Sequence, residues 1–272
     1  MNLDGSRFSR AQVYAATDVD TPETGPEPEL RGISCVVCAY NEADRIKNIL
    51  DVIVGHPALD EVIVVNDGST DATLALLQSY PTIRLLSHTP NRGKTYALSR
   101  GIAAARYDHL MLLDADLSGV TPAAIELLAA PVMRGEADVS ISMRANSLWL
   151  YRQIGLDFVS GERVAPKRLL AGAVEAMLKL PRWGGEVYMN EIFIREQCRI
   201  AVVRWRKVIN VRKYQKFGAW RGALAELKMI ADAASVLTPI GLVRQNIDML
   251  KLVNHRGWRG RVKTIFAQLT AS

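Results

Sequence analysis

The sequence predicts an α/β protein in which a mostly parallel β-sheet is covered by helices on both faces. From residue 32 onward, short apolar runs alternate with helical patterns of roughly 10 to 15 residues. The apolar runs are hydrophobic almost throughout, which is usual for strands buried on both faces of a parallel sheet. After residue 143 this alternation stops, and the pattern becomes mainly helical.

The elements follow in a regular order. Strands are predicted at residues 33–38, 61–66, 82–87, 109–113 and 138–142. Helices are predicted between them at residues 42–54, 70–79, 94–105 and 122–134. Further along, helices are expected at 166–180, 186–195, 221–237 and 240–254, with a strand at 199–205. The helix at 240–254 has one apolar face, formed by Ile240, Val243, Ile247, Leu250 and Val253.

The 272 residues, 49% of them hydrophobic, suffice for a full core and divide into three segments. Residues 1–31, acidic and rich in proline and glycine, are expected to be a flexible lead-in, and 32–200 to form the functional domain. Residues 201–272 are expected to form a basic, amphipathic helical extension. We expect a cytoplasmic protein, because the sequence shows neither a secretory signal nor a run of ~18 apolar residues.

Three cysteines fit a reducing compartment, and Cys35 and Cys38 lie in an apolar run where packing is the expected role. The net charge of +6 is concentrated late in the chain, with ten basic and two acidic residues in 195–228. Nucleic acid, an anionic lipid surface and a phosphorylated substrate could each explain this charge. Neighbouring tryptophans favour a membrane surface, and no nucleic acid is expected because no nucleic-acid module is recognisable.

Polar residues follow four of the predicted strands. The carboxyl ends of parallel strands meet at one edge of the sheet, where ligands of such folds bind. These ends are Ala39-Tyr40-Asn41-Glu42, Asp67-Gly68-Ser69-Thr70, Asn91-Arg92-Gly93-Lys94 and Asp114-Ala115-Asp116. We therefore expect one ligand site built from all four.

Asp114 and Asp116 are the chemically most informative pair. Two carboxylates this close at the end of a buried strand repel each other, and a bound Mg²⁺ or Mn²⁺ removes that penalty. Such cations commonly bind one or two carboxylates together with substrate phosphates. At the tip of another strand, Asp67 can accept the ring N–H of uracil or guanine, and Lys94 beside a helix N-terminus suits a phosphate or a base carbonyl.

In order and spacing, these four segments resemble the family 2 glycosyltransferases of GT-A fold, over about residues 32–142. The resemblance implies that Asp67 binds the nucleobase and that Lys94 contacts base or phosphate. It further implies a ribose and metal-diphosphate site. The residues implied for nucleotide-sugar binding besides these are Ala39, Tyr40, Asn41, Glu42, Asp114 and Ala115, and those for the metal are Asp114 and Asp116. Asn66, where the family commonly has Asp, is a departure from the pattern.

The runs 158–164 and 183–187 resemble the acceptor segments of two branches of that family, polyprenyl-phosphate sugar transferases and glucosyl-3-phosphoglycerate synthases. Arg163, Lys167 and Arg168 would suit a phosphate on the acceptor. In the second branch a C-terminal histidine binds the metal, which suggests His255 as a further ligand. The carboxylates proposed as the catalytic base, or as a group that orients the sugar, are Glu186, Glu162 and Asp157.

The sequence thus predicts metal-dependent transfer of a sugar from a UDP-sugar, with a GDP-sugar as second choice. The expected acceptor is phosphate-bearing or lipid, such as a polyprenyl phosphate or glycolipid, at the inner membrane face. A soluble enzyme similar to glucosyl-3-phosphoglycerate synthases is the alternative within the family. A nucleotidyltransferase or a nucleic-acid-binding module is the alternative from other classes, and a homo-oligomer is compatible with all of these.

Overall fold

The structure, a computed structural model, describes residues 14–15, 30–181, 184–210 and 237–253. The predicted helix at 221–237, apart from residue 237, lies outside these residues. So do nearly all of the N-terminal segment 1–31, most of the basic C-terminal extension, and His255.

The main sheet has eight strands in the described residues, in the order β1-β4-β3-β2-β5-β8-β7-β9. All neighbours are parallel except β8, which is antiparallel to both β5 and β7. A small second sheet pairs β6 with β10. The strands are β1 (Tyr14–Ala15), β2 (Leu30–Ala39), β3 (Glu61–Asp67), β4 (Arg84–His88), β5 (Tyr107–Asp114), β6 (Leu117–Ser118), β7 (Val139–Arg144), β8 (Arg163–Pro166), β9 (Ile200–Trp205) and β10 (Ile209–Asn210).

Helices cover both faces of the sheet, which confirms the predicted fold class. One core layer contains Ile49 and Ile125, and the other contains Ile102 and Phe193 on the opposite face. The helices are α1 (Ile46–Ile53), α2 (Thr73–Gln78), α3 (Lys94–Ala104), α4 (Pro122–Met133), α5 (Trp149–Ile154), α6 (Lys167–Ala171), α7 (Val174–Leu178), α8 (Gly185–Arg195) and α9 (Pro239–Leu252).

The second half of the sheet differs from the expectation. β8 was not predicted, and the single helix expected at 166–180 is two short helices, α6 and α7, with Gly172 between them. β9 pairs with β7 along its whole length, so the domain boundary placed at residue 200 falls at the start of a sheet strand. The first two described residues, Tyr14 and Ala15, also pair with the sheet rather than standing apart from it.

The apolar face predicted for the last helix is largely exposed. On α9 the side chains of Ile240, Val243 and Ile247 are exposed by 82%, 60% and 40%, whereas Gln245 and Met249 are buried. Burial of the glutamine is possible because its amide nitrogen donates to the Val187 carbonyl at 2.9 Å, which satisfies the polar group inside the core.

Two further expectations concern membranes and cysteines. Among the described residues, no helix has the length and apolar character needed to cross a bilayer. Cys35 and Cys38 are free thiols in β2. They lie three residues apart, so they point to opposite faces of the sheet. Burial raises the pKa of both thiols above its ordinary value.

The topology brings the functional segments to one edge. Register pairs Cys38 with Asp114 and Asp67 with His88, so β2 to β5 end at nearly the same level. Because β8 runs the other way, its start, Arg163, pairs with Leu112 close to that edge. The loop preceding β8 therefore meets the carboxyl ends of the parallel strands.

Candidate active site

The first two strand-end segments are joined by hydrogen bonds. Asn41 adopts a left-handed backbone with φ of 54°, which asparagine tolerates better than most residues. Its backbone N–H donates to Ser69 Oγ at 3.0 Å, and its Oδ1 accepts from the Thr70 N–H at 2.8 Å. Ala39 is buried, and the Tyr40 side chain is 43% exposed. This leaves an aromatic ring on the rim of a rigid pair of loops.

Glu42, the fourth residue of the first segment, anchors it to the protein rather than presenting a free carboxylate. Its backbone N–H donates to Thr73 Oγ1 at 2.8 Å, and its Oε2 lies 2.6 Å from Arg45 Nε. Of the first segment, Tyr40 is thus exposed and Asn41 is bonded to Thr70, while Ala39 and Glu42 are buried beneath them.

Asp67 is engaged differently from the expectation. Its Oδ1 accepts from His88 Nε2 at 2.8 Å and from the Arg92 N–H at 2.7 Å. Its Oδ2 accepts from Asn91 Nδ2 at 2.8 Å and from the Gly93 N–H at 2.9 Å. A carboxylate offers about four acceptor positions, so these four donors occupy it fully. A nucleobase N–H would have to displace one of them, and in this structure Asp67 orders the loop before α3.

Lys94 begins α3 and lies between two carboxylates. Its Nζ is 2.6 Å from Asp114 Oδ1 and 2.7 Å from Glu186 Oε1. Burial alone would lower the pKa of Lys94, but the two negative charges outweigh it and raise the pKa above its ordinary value. The lysine is therefore a fixed cation that brings the end of β5 and the start of α8 together, rather than a side chain pointing at solvent.

Gly161 allows this ion-paired cluster to pack against the loop before β8. An added Cβ atom would lie 2.5 Å from Asp114 Oδ1 and 2.8 Å from Lys94 Nζ. Real Cβ atoms essentially never make contacts this short, so any larger residue would displace the pair. At the start of α8, the Gly185 N–H donates to Thr95 Oγ1 at 3.0 Å, which joins α8 to α3.

A buried network that the sequence reasoning missed is centred on Arg144, the last residue of β7. Its Nη1 lies 2.9 Å from Glu162 Oε1 and 3.8 Å from Asp114 Oδ2, and its Nη2 lies 3.4 Å from Asp157 Oδ2. Burial would lower the pKa of Arg144, but Glu162 and the other nearby carboxylates raise it. Its Nε is buried without a hydrogen-bond partner in the described residues. The available signal was an arginine two residues beyond the predicted strand at 138–142.

Two of the three carboxylates predicted as catalytic bases are enclosed by this network. Glu162 is fully buried, and its Oε2 accepts from Ser142 Oγ at 2.8 Å and Ser160 Oγ at 2.6 Å. Asp157 is 1% exposed and accepts from Ser147 Oγ at 2.6 Å. Burial raises the pKa of Glu162, partly offset by Arg144. Neither carboxylate faces open space. Glu186 is also buried, at 6% exposed, but it is paired with Lys94, which also holds Asp114 at the strand-end edge.

The basic residues predicted for an acceptor phosphate do not assemble at the site. Arg163 is fully buried, with Nη1 donating to Asn190 Oδ1 at 3.1 Å and Nε to the Ser160 carbonyl at 3.2 Å. Lys167 and Arg168 follow Pro166, which pairs with His109 near the start of β5. They therefore lie toward the opposite end of the sheet from Asp114, because β8 runs antiparallel to β5.

Asp114 and Asp116 remain at the edge, half-buried, with the buried Ala115 between them. Carboxylate oxygens are ligands that Mg²⁺ and Mn²⁺ prefer, and two of them suffice when a substrate diphosphate supplies the rest. The carboxylates of Asp114 and Asp116 therefore fit such an ion as ligands. No group of three potential metal-ligating side chains occurs in the described residues, and His255, the predicted third ligand, lies outside them.

Comparison with known proteins agrees with this geometry. Residues 34–159 match the family model for glycosyl transferase family 2. The chain is 39% identical over 92 residues to the poly-beta-1,6-N-acetyl-D-glucosamine synthase of Staphylococcus aureus, covering 32% of this chain and 22% of that protein. It is 29% identical over 168 residues to the glycosyltransferase YibD of Escherichia coli, covering 58% and 47%. The chain thus spans less than half the length of these relatives.

Solved structures of glucosyl-3-phosphoglycerate synthase from Mycobacterium tuberculosis share the fold. The form crystallised with Mg²⁺ and UDP has a TM-score of 0.60 at 26% identity, covering 75% of this chain and 79% of that one. The form with Mn²⁺, UDP and glucosyl-3-phosphoglycerate has a TM-score of 0.57 at 27% identity, with the same coverage. Residues 34–159 therefore match glycosyl transferase family 2, and the chain shares the GT-A fold of these solved structures.

Proposed function

We propose that this chain transfers a sugar from a UDP-sugar to an acceptor hydroxyl with the help of Mg²⁺ or Mn²⁺. The observation that carries the proposal is the ion-paired cluster of Lys94, Asp114 and Glu186. Asp114 lies two residues before Asp116 in the sequence, so the cluster adjoins the proposed metal ligand. The structural neighbours crystallised with UDP and either metal support the choice of nucleotide and ion. A GDP-sugar is the second choice, since the side chains of Tyr40 and Asn41 do not by themselves exclude guanine.

Each group has a proposed task. Tyr40 and Asn41 bind the base and ribose, with Asp67 holding the adjacent loop in place. Asp116, with Asp114 beside it, would hold the divalent ion, which would supply positive charge to the leaving diphosphate. The acceptor oxygen forms a bond to the anomeric carbon as the bond from that carbon to the UDP oxygen breaks, and the hydroxyl proton passes to the released UDP or to solvent. The protein contributes mainly by holding the sugar and the acceptor in this alignment.

Glu186 is proposed to orient the transferred sugar. Its carboxylate is paired with Lys94, so it can accept hydrogen bonds from sugar hydroxyls without leaving its position. Asp114, paired with the same lysine, can do so from the other side. The pairing disfavours Glu186 as a base, because protonating it would leave Lys94 with one partner fewer.

The acceptor and the membrane surface are also proposals. The name of the Staphylococcus relative indicates a glycan product, and the Mycobacterium structures contain phosphoglyceric acid, so the comparisons point to two acceptor classes. An anionic membrane surface is supported by the exposed apolar side chains of α9 beside Arg244 and Lys251, which are also exposed. No finding supports a nucleotidyltransferase or a nucleic-acid-binding module.

The test is release of UDP from a panel of UDP-sugars, with GDP-mannose as a comparison, in the presence of Mn²⁺. We expect one or a few UDP-sugars to be hydrolysed slowly and Glu186→Gln to lower kcat by roughly 100-fold, within the range found for groups that act on the reacting sugar. Glu196→Gln, at the exposed end of α8, is the control. Absence of binding and hydrolysis for every UDP-sugar, or an unchanged rate in Glu186→Gln, would contradict the proposal.

A further inference from the structure

The proposed function leaves the acceptor open between an anionic and an uncharged molecule. We propose that the acceptor is an uncharged carbohydrate that packs on the exposed indole of Trp149, which follows β7 at the same edge of the sheet. This inference rests on the proposed function, because it concerns the second substrate of the same reaction.

The first observation is that the positive charges near the reacting centre are already neutralised. Arg163 is fully buried and bonded to protein oxygens. Arg144 is held by Glu162 and Asp157, and Lys94 is held by two further carboxylates. A phosphate on the acceptor would have to break one of these buried pairs, which is costly because it leaves a carboxylate unpaired.

The second observation is the balance of charge around the cluster. The cluster contains more carboxylates than cations, a formal excess of two negative charges. The five carboxylates are Asp114, Asp116, Asp157, Glu162 and Glu186, and the three cations are Lys94, Arg144 and Arg163. One divalent cation removes that excess, but it is then shared with the diphosphate of the donor. A second phosphate arriving at this edge would gain no free cation in the cluster and would face Asp116 and Glu186. An uncharged hydroxyl meets no such repulsion and can donate to these carboxylates.

The third observation is an exposed aromatic side chain at the same edge. Trp149 begins α5 and is 70% exposed within the described residues. It follows Ser147, whose Oγ donates to Asp157 Oδ2 at 2.6 Å, so the start of α5 is tied to the Arg144 network. The Cα of Trp149 lies within about 7.6 Å of that of Ser147, since consecutive Cα atoms are about 3.8 Å apart.

An exposed indole at a binding edge has a natural ligand in a sugar ring. One face of a pyranose is lined with C–H groups, and these pack against the electron-rich face of an aromatic ring while the hydroxyls point elsewhere. Tryptophan is also enriched, with tyrosine and arginine, among the residues that contribute most to binding at protein surfaces. Leu148, 57% exposed beside it, offers apolar area without an aromatic face and so provides an internal control.

Other basic residues at this edge are exposed and would favour an anionic acceptor, which is the competing hypothesis. Arg206 and Lys207 follow β9, whose last residue pairs with Arg144, and both are exposed. Arg92, after β4, and Arg152, on α5, are exposed as well. The double variant Arg206→Ala/Lys207→Ala therefore removes two of the cations that an anionic acceptor could contact, without touching the cluster itself.

The experiment compares matched acceptors with the UDP-sugar that the wild-type enzyme hydrolyses. Each pair consists of a p-nitrophenyl glycoside and the same glycoside carrying a 6-phosphate. We expect kcat/KM to be at least roughly tenfold higher for the uncharged member, equivalent to about 1.4 kcal/mol. Preference for the phosphorylated member, or loss of transfer to the uncharged member in the Arg206/Lys207 double variant, would overturn the inference.

Variants at the apolar rim test the role of the indole. Trp149→Ala should raise the acceptor KM by roughly tenfold with little effect on the donor KM or on UDP-sugar hydrolysis. Trp149→Phe and Leu148→Ala should both stay close to wild type. Unchanged acceptor KM in Trp149→Ala contradicts the proposal. Failure of the proposed function itself would look different, because then no UDP-sugar would bind or be hydrolysed by the wild-type enzyme.

Discussion

At position 161, the absence of a side chain allows Asp114 and Lys94 to pack against the loop before β8. Gly161→Ala would place a carbon atom 2.5 Å from Asp114 Oδ1, and the ion pair would have to move. We expect sugar transfer to fall by roughly 100-fold or more, because misplacement of a reacting group by about 1 Å can cost that much. UDP-sugar turnover and thermal unfolding of the purified variant measure the effect.

Gly172→Ala is the matched control. Gly172 ends α6 with ordinary right-handed backbone angles, and nothing lies within 4 Å of a Cβ added there. This variant should keep full activity and the wild-type melting temperature. Equal activity of the two variants would mean that the cluster of Lys94, Asp114 and Glu186 does not carry the reaction.

Asp67 has a structural task that a purely base-binding residue would not have. Asp67→Ala leaves four donors of the 88–93 loop without their acceptor. Each unsatisfied buried donor costs about 1–3 kcal/mol. For a chain of this size about 1 kcal/mol lowers Tm by ~2–4 °C, so we expect Tm to fall by several degrees, together with UDP affinity. Calorimetric Tm and UDP titration of the variant measure both; lost UDP affinity at unchanged Tm would restore direct base binding as its main role.

The residues at strand ends were predictable because each follows an apolar run, and parallel strands must deliver them to one edge. Lys94 and Asp114 were placed in the site on that basis, and the structure brings them into contact. The Arg144 network was not predictable, because Glu162 and Asp157 become its partners only through the antiparallel strand β8. Arg163 was misjudged because a basic side chain in a glycine-containing segment suggests exposure, whereas β8 carries it into the core.

Among the elements, β8 and α9 show the limits of periodicity. β8 has four residues, too few for an alternating pattern, and contains a buried arginine. On α9 the apolar stripe was correctly recognised, but its orientation depends on the neighbouring α8, where Val187 and Asn190 provide hydrogen bonds for Gln245. A polar side chain with two such partners can replace an apolar one in the core, and no local pattern reveals the partners.

The exposed face of α9 leads to a prediction about lipid. The triple change Ile240→Asn/Val243→Asn/Ile247→Asn removes apolar side chains that are 40% to 82% exposed and leaves the buried Met249 in place. If this face lies on a bilayer, co-sedimentation with phosphatidylserine-containing vesicles should drop several-fold, because burial of apolar area drives interfacial binding. Leu127→Asn, at a 57% exposed position on α4, is the control.

Wild-type levels of sedimentation in the triple variant would show that α9 is not the lipid-binding element. A variant that loses transfer to a water-soluble acceptor would indicate that the face supports the active site rather than a membrane. The second outcome is measured with the same protein preparation, so the two explanations are separated directly.

For the whole molecule, the fold places an acidic, metal-compatible edge on a chain whose overall charge is +6. Negative charge is concentrated at the edge proposed to hold a diphosphate through a cation, and positive charge lies mainly in the late part of the sequence. Composition alone left nucleic acid, an anionic lipid surface and a phosphorylated substrate open, whereas the described site contains an excess of carboxylates. The sequence motifs identified the edge and the family resemblance, but the charge balance of the site required the structure.

Titration of UDP by calorimetry, with and without Mn²⁺, tests the metal-dependent nucleotide site most directly. Wild-type protein should bind UDP roughly tenfold or more tightly with Mn²⁺ than in EDTA, and Asp116→Asn should abolish that difference while its Tm stays within about 1 °C of wild type. Equal UDP affinity with and without Mn²⁺ in the wild-type protein, or a metal effect that survives in Asp116→Asn, would contradict the account.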